Sequence, residues 1–243
     1  MEAVLTSNRR TSRLAALLFF TVCVTASTWG LSYVPSKIFV PKDAAATARN
    51  LLSNEFLFRT GILSHFVSTI AFAIMILMFY RIFRPVDKLL SRIMITSVLV
   101  QVPVVFVLEL FKITALMILN GGVLSTLEIT QKHEASYLLL RMHGYGIVTS
   151  QFFWGLCFIP FGMLVYRSGF IPRIFGVLLM ITGIGYVADM CTFVLLERHD
   201  YLLLKPFIIY SFMGGGLTML WFLIKGVRNP SAIVSDKKTS IIV

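Results

Sequence analysis

The sequence predicts an all-α integral membrane protein, a bundle of six transmembrane helices with both termini in the cytoplasm. Of its 243 residues, 57% are hydrophobic and 14% are charged, whereas soluble domains average about 45–50% apolar and about 25% charged residues. The charges cluster between apolar runs that are long enough to cross a bilayer at about 1.5 Å per residue. Because lipid offers the backbone no hydrogen-bond partners, each such run is expected to be a helix.

The apolar runs define the domain organisation. A cytoplasmic N-terminus, residues 1–13, precedes a membrane domain, residues 14–226, and a cytoplasmic tail, residues 227–243, follows it. The expected spans are about 14–34, 56–82, 93–119, 137–166, 174–196 and 206–224. The first run also has features of a cleavable signal. Trp29 and Tyr33 at its far end favour an uncleaved span, since such aromatics sit at membrane interfaces.

Two connecting segments have readable signals. In residues 35–54, Asp43 is a predicted N-cap for a short helix over residues 44–52, because its side chain can accept from the first free backbone N–H groups. This helix fits either a position on the membrane surface or an ordinary connection. Residues 120–136 are predicted to be a polar loop, with Gly121 as part of the helix stop.

The turn between the fourth and fifth runs is a basic hairpin tip. Gly169 and Pro172 interrupt the helix there, since proline cannot take an interior helical hydrogen bond. Arg167 and Arg173 flank the turn and are assigned to the cytoplasmic side. Glycines in the fifth and sixth runs predict close helix packing. They are Gly176, Gly183, Gly185, Gly214, Gly215 and Gly216.

The distribution of Lys and Arg predicts the orientation. The connections between spans fall into two alternating sets that differ in their number of Lys and Arg residues. The set with more of these residues is expected on the cytoplasmic side. That set contains Arg9, Arg10, Arg13, Arg81, Arg84, Lys88, Arg92, Arg167, Arg173, Lys225, Arg228, Lys237 and Lys238. In a soluble protein the formal net charge of +11 would suggest nucleic-acid binding. Here membrane-flanking cations explain it, and the expected partner is the lipid bilayer rather than nucleic acid.

Polar residues inside the spans are the candidate ligand- or ion-binding residues. A charged side chain at the bilayer centre costs about 2.5–3.5 kcal/mol on insertion scales, so such residues should face protein or water. Several of them lie about seven or eight residues from the outer ends of their runs, roughly 10–12 Å deep. This common depth predicts a polar cavity open to the outer side. The candidates are His65, Glu109, Lys112, Arg141, His143, Gln151 and Asp189.

A structural explanation of the same residues is the alternative. Interhelical hydrogen bonds and ion pairs would satisfy them without any ligand. Glu109 and Lys112 can pair at i, i+3 on one helix, and Asp189 can pair with Arg141.

Sequence motifs give little support to catalysis. Two histidines with carboxylates match a catalytic zinc set by residue type, but HExxH and HxxxH spacings are missing, as are GxSxG, GxGxxG and Walker motifs. No metal and no cofactor are therefore expected. Binding or transport of a small molecule or ion is the leading hypothesis. An intramembrane metal-dependent hydrolase and a non-catalytic sensor or partner subunit are the alternatives, while the oligomeric state and any protein partner stay open.

Several segments together carry a family resemblance. They are residues 41–48, 143–146, 151–156, 160–162, 166–173, 183–186 and 221–226. On these segments the chain resembles the bacterial family known as domain of unknown function 4386, and the resemblance extends over nearly the whole chain. It implies a multi-pass protein of the bacterial inner membrane and no particular activity. It also places His143, Gln151, Arg167 and Asp189 inside the block that resembles the family.

Overall fold

The computed structural model describes residues 2–195 and 211–227, and in those ranges the chain forms helices and no strand. The α-helices are α1 (Glu2–Leu18), α2 (Thr25–Thr28), α3 (Val34–Ile38), α4 (Ala44–Ser53), α5 (Glu55–Phe83), α6 (Lys88–Leu119), α7 (Ile129–Ser168), α8 (Arg173–Leu195) and α9 (Leu217–Ile224). Turns of π-helix, Phe19–Val24 and Trp29–Tyr33, join α1, α2 and α3 into one helical run, and a third, Ser211–Gly216, leads into α9. The predicted all-α class is confirmed.

Five helical segments in the described ranges are long and apolar enough to cross a membrane. They are Asn8–Ile38, Glu55–Phe83, Lys88–Leu119, Ile129–Ser168 and Arg173–Leu195. Gly214–Ile224 is a shorter apolar helix. The beginning of the predicted sixth span lies in residues 196–210, outside the described residues, so the count of six stays a prediction.

The exposed face of α5 shows why this chain needs lipid around it. Large apolar side chains recur every three or four residues along one face of the helix, each with between 42% and 62% of its surface exposed. They are Leu63, Val67, Ile70, Ile74 and Leu77. A contiguous apolar stripe of this length would be unfavourable in water, and a bilayer is the solvent that suits it.

Helix α7 begins earlier than the hydropathy pattern indicates. It begins at Ile129, inside the polar loop predicted over residues 120–136. The first residues of α7 include Gln131, Lys132 and Glu134, which are good helix formers although they are polar. Hydropathy marks where the apolar run ends, and the helix continues beyond it. The predicted stop after α6 is confirmed, since Gly121 has a φ of 75°, the left-handed conformation that glycine accepts readily.

The N-cap of α4 is confirmed. Asp43 lies in extended conformation and its Oδ1 accepts a hydrogen bond of 2.7 Å from the backbone N–H of Ala46. The side chain thus satisfies one of the backbone donors that a helix N-terminus leaves free.

Replacing Asp43 with alanine is expected to lower the free energy of unfolding by about 0.5–2 kcal/mol, because the cap is lost. Asp43→Asn, which keeps a side-chain acceptor, should stay close to the wild type. Thermal unfolding of the purified protein in detergent, followed by helical circular dichroism, measures both. Equal losses in the two variants would argue against a capping role.

The chain divides into two compact units. The hairpin unit comprises Met1–Phe19, Ala73–Val100 and Gln151–Val243. The histidine unit comprises Phe20–Phe72 and Gln101–Ser150.

The hairpin unit is built around aromatic side chains. Phe79, from α5, is fully buried and lies with its ring centroid 5.1 Å from that of Phe161 and 4.9 Å from that of Phe222. At the basic turn, the Arg167 guanidinium contacts the Asp87 carboxylate at 2.8 Å.

The histidine unit has its own apolar core. Its buried residues are Val34, Ile38, Leu51, Phe58, Ile62, Ala115, Leu116 and Leu140. Hydrogen bonds tie its elements together, since Ser136 donates to the backbone oxygen of Ala115 and the indole N–H of Trp29 donates to Thr60 Oγ1 at 3.1 Å. This core contains residues of α5, α6 and α7, the three helices that carry the polar residues described next.

Candidate functional site

Three basic side chains converge on one carboxylate oxygen in the histidine unit. Glu109 has none of its surface exposed, and its Oε1 atom lies 2.5 Å from His65 Nδ1 and 2.9 Å from His143 Nε2. Lys112 Nζ donates to the same Oε1 at 3.2 Å. All four side chains are buried. We call these four residues, His65, Glu109, Lys112 and His143, the histidine cluster.

The cluster is assembled from three helices. His65 comes from α5, Glu109 and Lys112 come from consecutive turns of α6, and His143 comes from α7. Gly146 lies on α7 one turn after His143 and faces Leu108 of α6. A β-carbon at Gly146 would require the end of the Leu108 side chain to move aside, so the small residue suits the close contact of the two helices next to Glu109.

The second oxygen of Glu109 is the unusual feature of the cluster. Its Oε2 atom is buried and has no hydrogen-bond partner in the part of the chain that the structure describes. A buried acceptor without a partner costs about 1–3 kcal/mol, and more for a charged group. The cluster therefore retains the capacity to bind a further cation or hydrogen-bond donor.

Other polar residues near the cluster are satisfied by their own helix. Ser68 Oγ and Thr69 Oγ1 donate to the backbone oxygen of His65, and Ser64 donates to that of Gly61. Ser150 donates to Ile147 in the same way. Hydroxyl groups in apolar helices commonly bond back to the preceding turn. These hydroxyl residues therefore lie near the cluster without taking part in it.

The remaining candidates have other partners. Arg141, in the histidine unit, donates to Tyr145 Oη one turn along α7, and its guanidinium lies 4.9 Å from the centre of that ring. In the hairpin unit, the side chain of Gln151 lies next to the Asp189 carboxylate.

The two arginines of the basic turn also have local partners. Arg167 pairs with Asp87, and Arg173 lies 5.3 Å from the centre of the Tyr166 ring. Both contacts hold the turn in the hairpin unit. The side chain of Arg167 is about half exposed.

Three members of the cluster are suitable metal ligands. His65, Glu109 and His143 each offer one ligand atom, and these atoms all lie within 4.8 Å of one another. The sequence predicts no metal, because short motifs such as HExxH are missing from it. Here the ligands come from three helices that are far apart in the sequence, so no spacing motif can reveal them.

The comparisons with known proteins support a family and no activity. Residues 14–226 match the family model described as Domain of unknown function (DUF4386). A similar protein from Archaeoglobus fulgidus, described as an uncharacterized protein, is 30% identical over 156 residues. The match covers 64% of this chain and 76% of that relative. No solved structure matches the chain.

Proposed function

The chain belongs to the DUF4386 family, whose description assigns no activity, and we propose that it binds a small cation at the histidine cluster. Binding would be one step in moving that cation across the membrane. The single observation that carries the proposal is the fully buried carboxylate of Glu109, with three donors on one oxygen and none on the other among the described residues.

The charge of the cluster supports a cation rather than an anion. Glu109 supplies the one carboxylate, and Lys112 supplies a cation tethered one turn away on the same helix. An isolated charge in an apolar interior is costly, so ionisable groups there are retained where they pair or carry out a function. A cation that takes the place of the Lys112 ammonium would leave the carboxylate paired, whereas an anion would have to compete with Glu109 for the same donors.

We further propose that the membrane domain has six spans with both termini in the cytoplasm. The proposal is supported by the five long apolar helices, by the apolar segment Gly214–Ile224 and by the basic residues of the alternate connections. In this orientation the histidine cluster lies toward the outer side, and the cation would enter from there. The location in a bacterial inner membrane is supported by the family resemblance.

Reporter fusions test this topology. A fusion after Arg84 and a fusion after Arg173 are expected to report the cytoplasmic side, and a fusion at Leu124 the opposite side, because only the first two positions adjoin arginine-rich turns. Alkaline phosphatase, which is active outside the cytoplasm, and a fluorescent protein that matures inside it provide complementary signals. Opposite signals from Arg84 and Arg173 would overturn the arrangement.

Cation binding is tested on the purified full-length chain in detergent. The protein is titrated separately with Na⁺, K⁺, Mg²⁺, Ca²⁺, Mn²⁺ and Zn²⁺, and the unfolding temperature is recorded. A cation that binds the native state raises this temperature, since it stabilises by mass action. We expect the rise in the wild type and in Glu134→Gln, an exposed glutamate of α7, and no rise in Glu109→Gln.

The outcomes separate the candidate functions. If no cation stabilises the wild type more than Glu109→Gln, the proposal is wrong. Flux of the bound cation into liposomes containing the protein, lost in Glu109→Gln, would support transport. Binding without flux, accompanied by cleavage of ester or amide substrates added to the liposomes, would instead support the metal-dependent hydrolase, because two histidines and a carboxylate are a catalytic zinc ligand set by type.

A further inference from the structure

We infer that the histidine cluster is a transition-metal site, with His65 Nδ1, His143 Nε2 and the Glu109 carboxylate as ligands and Lys112 as a tethered cation that the metal displaces. The inference rests on the proposed function and names the class of ion, a divalent metal such as Zn²⁺. It also assigns Lys112 a role different from that of the three ligands.

The ligand types select this class. Imidazole nitrogen suits Zn²⁺ and its neighbours in the first transition row, whereas Ca²⁺ and Mg²⁺ prefer oxygen ligands. Two of the three candidate ligand atoms here are imidazole nitrogens. Three protein ligands with a fourth position left for another group is the usual arrangement of an exchangeable zinc site, and two histidines with one glutamate is a known version of it.

The distances require only small side-chain movements. Zinc bonds of about 2.0–2.2 Å in a tetrahedral site place the ligand atoms about 3.3–3.5 Å from one another. In the structure His65 Nδ1 and Glu109 Oε1 are 2.5 Å apart, and the three ligand atoms lie within 4.8 Å of one another. The shortest distance would have to open by about 1 Å and the longest to close by about 1.5 Å. Side-chain rotation on fixed helices can supply changes of this size.

The hydrogen atoms of the two imidazoles agree with such an exchange. An ionised Glu109 can only accept, so His65 donates from Nδ1 and His143 donates from Nε2. When a metal binds, these nitrogens present lone pairs to it and each imidazole carries its hydrogen on the other ring nitrogen.

Lys112 opposes the metal by its charge. Its ammonium lies 3.2 Å from Glu109 Oε1 and is buried with it. A divalent cation on the same carboxylate would repel this ammonium, so metal binding has to move Lys112 away. Lysine has a flexible four-carbon side chain that allows such a movement. Without metal, Lys112 keeps the buried carboxylate paired, and with metal it is displaced.

The test uses tag-free full-length protein, stripped of metal with a chelator and titrated with Zn²⁺ or with Co²⁺, whose visible spectrum reports ligand geometry. We expect one metal per chain, with a tetrahedral Co²⁺ spectrum. His65→Gln and His143→Gln should bind at least about tenfold more weakly, since loss of even an outer-shell partner costs about 10–100-fold in metal affinity. His133→Gln is the matched control, because His133 lies on α7 outside the cluster.

Lys112→Met provides a test in the opposite direction. It removes the ammonium that repels the metal and keeps an unbranched apolar side chain, so Zn²⁺ should bind more tightly than to the wild type, by about tenfold or more. This gain cannot result from misfolding, which would only weaken binding. Unchanged or weaker binding in a folded Lys112→Met protein would overturn the displacement.

The outcome also separates this inference from the proposed function. Equal Zn²⁺ affinity in the wild type, His65→Gln and His143→Gln would overturn the metal site. If Na⁺, K⁺ or Ca²⁺ nevertheless stabilises the protein in a Glu109-dependent way, the cation-binding function stands with a different ion. If neither Zn²⁺ nor any of these cations depends on Glu109, both proposals fail.

Discussion

Replacing Glu109 with alanine is expected to lower the free energy of unfolding by about 3–5 kcal/mol, the range for removing one partner of a buried ion pair. The loss arises because Lys112, 5% exposed, would lose its counterion, and because both histidines would lose their acceptor. Unfolding in mixed micelles of increasing denaturing detergent, followed by helical circular dichroism without added metal, measures this change.

A double variant identifies the cause of that loss. Glu109→Ala combined with Lys112→Met removes both charges, so the double variant should recover much of the stability that Glu109→Ala loses. Replacement of a whole buried ion pair by apolar groups is often neutral or stabilising. Additive losses in the double variant, or a Glu109→Ala protein as stable as the wild type, would contradict the paired-charge account.

The second large effect is expected at the glycine contact between α7 and α8, in the hairpin unit. A β-carbon built on Gly162 would lie 2.5 Å from the backbone oxygen of Gly176 and 2.8 Å from the backbone nitrogen of Met180. Backbone atoms cannot move aside as the end of a flexible side chain can, so Gly162→Val should separate the two helices. We expect a loss of about 1–3 kcal/mol or more, as for overpacking of a core.

A nearby glycine provides the control for that variant. At Gly215 the nearest atoms to a built β-carbon belong to the Phe158 ring, at 3.6 Å, which is ordinary contact. Gly215→Ala should therefore unfold at nearly the same temperature as the wild type, while Gly162→Val unfolds earlier and loses monodispersity in gel filtration. Similar behaviour of the two variants would show that the contact tolerates a side chain.

The glycine contact shows how far a sequence pattern can reach. Gly176 and Gly183 were predicted to permit close packing of the fifth run, and both meet backbone of α7 in the structure. Their partners on α7 are Gly162 for Gly176 and Gly155 for Gly183. Within each helix the two glycines are two helical turns apart. Sequence alone did not reveal them, because small residues signal a close approach without naming the helix that approaches.

The histidine cluster shows the same limit for polar residues. The pairing of Glu109 with Lys112 was available from their i, i+3 spacing, and the structure confirms it. Common depth also grouped His65 and His143 with them. The same criterion also grouped Asp189 with them and placed Arg141 about one turn away. In the structure Arg141 bonds to Tyr145, and Asp189 belongs to the hairpin unit, where it lies next to Gln151. Depth along a helix is a one-dimensional coordinate, and it does not specify the direction of a side chain around the helix.

By itself, the sequence determined that the described chain is helical and suited to a membrane, and where most of its long helices run. These properties follow from local composition, since an apolar run of sufficient length in lipid has to satisfy its own backbone hydrogen bonds. Only the tertiary structure decided that His65, Glu109 and His143 present their polar atoms to one point. That arrangement depends on the rotation of three helices about their axes, which is a property of packing between distant segments.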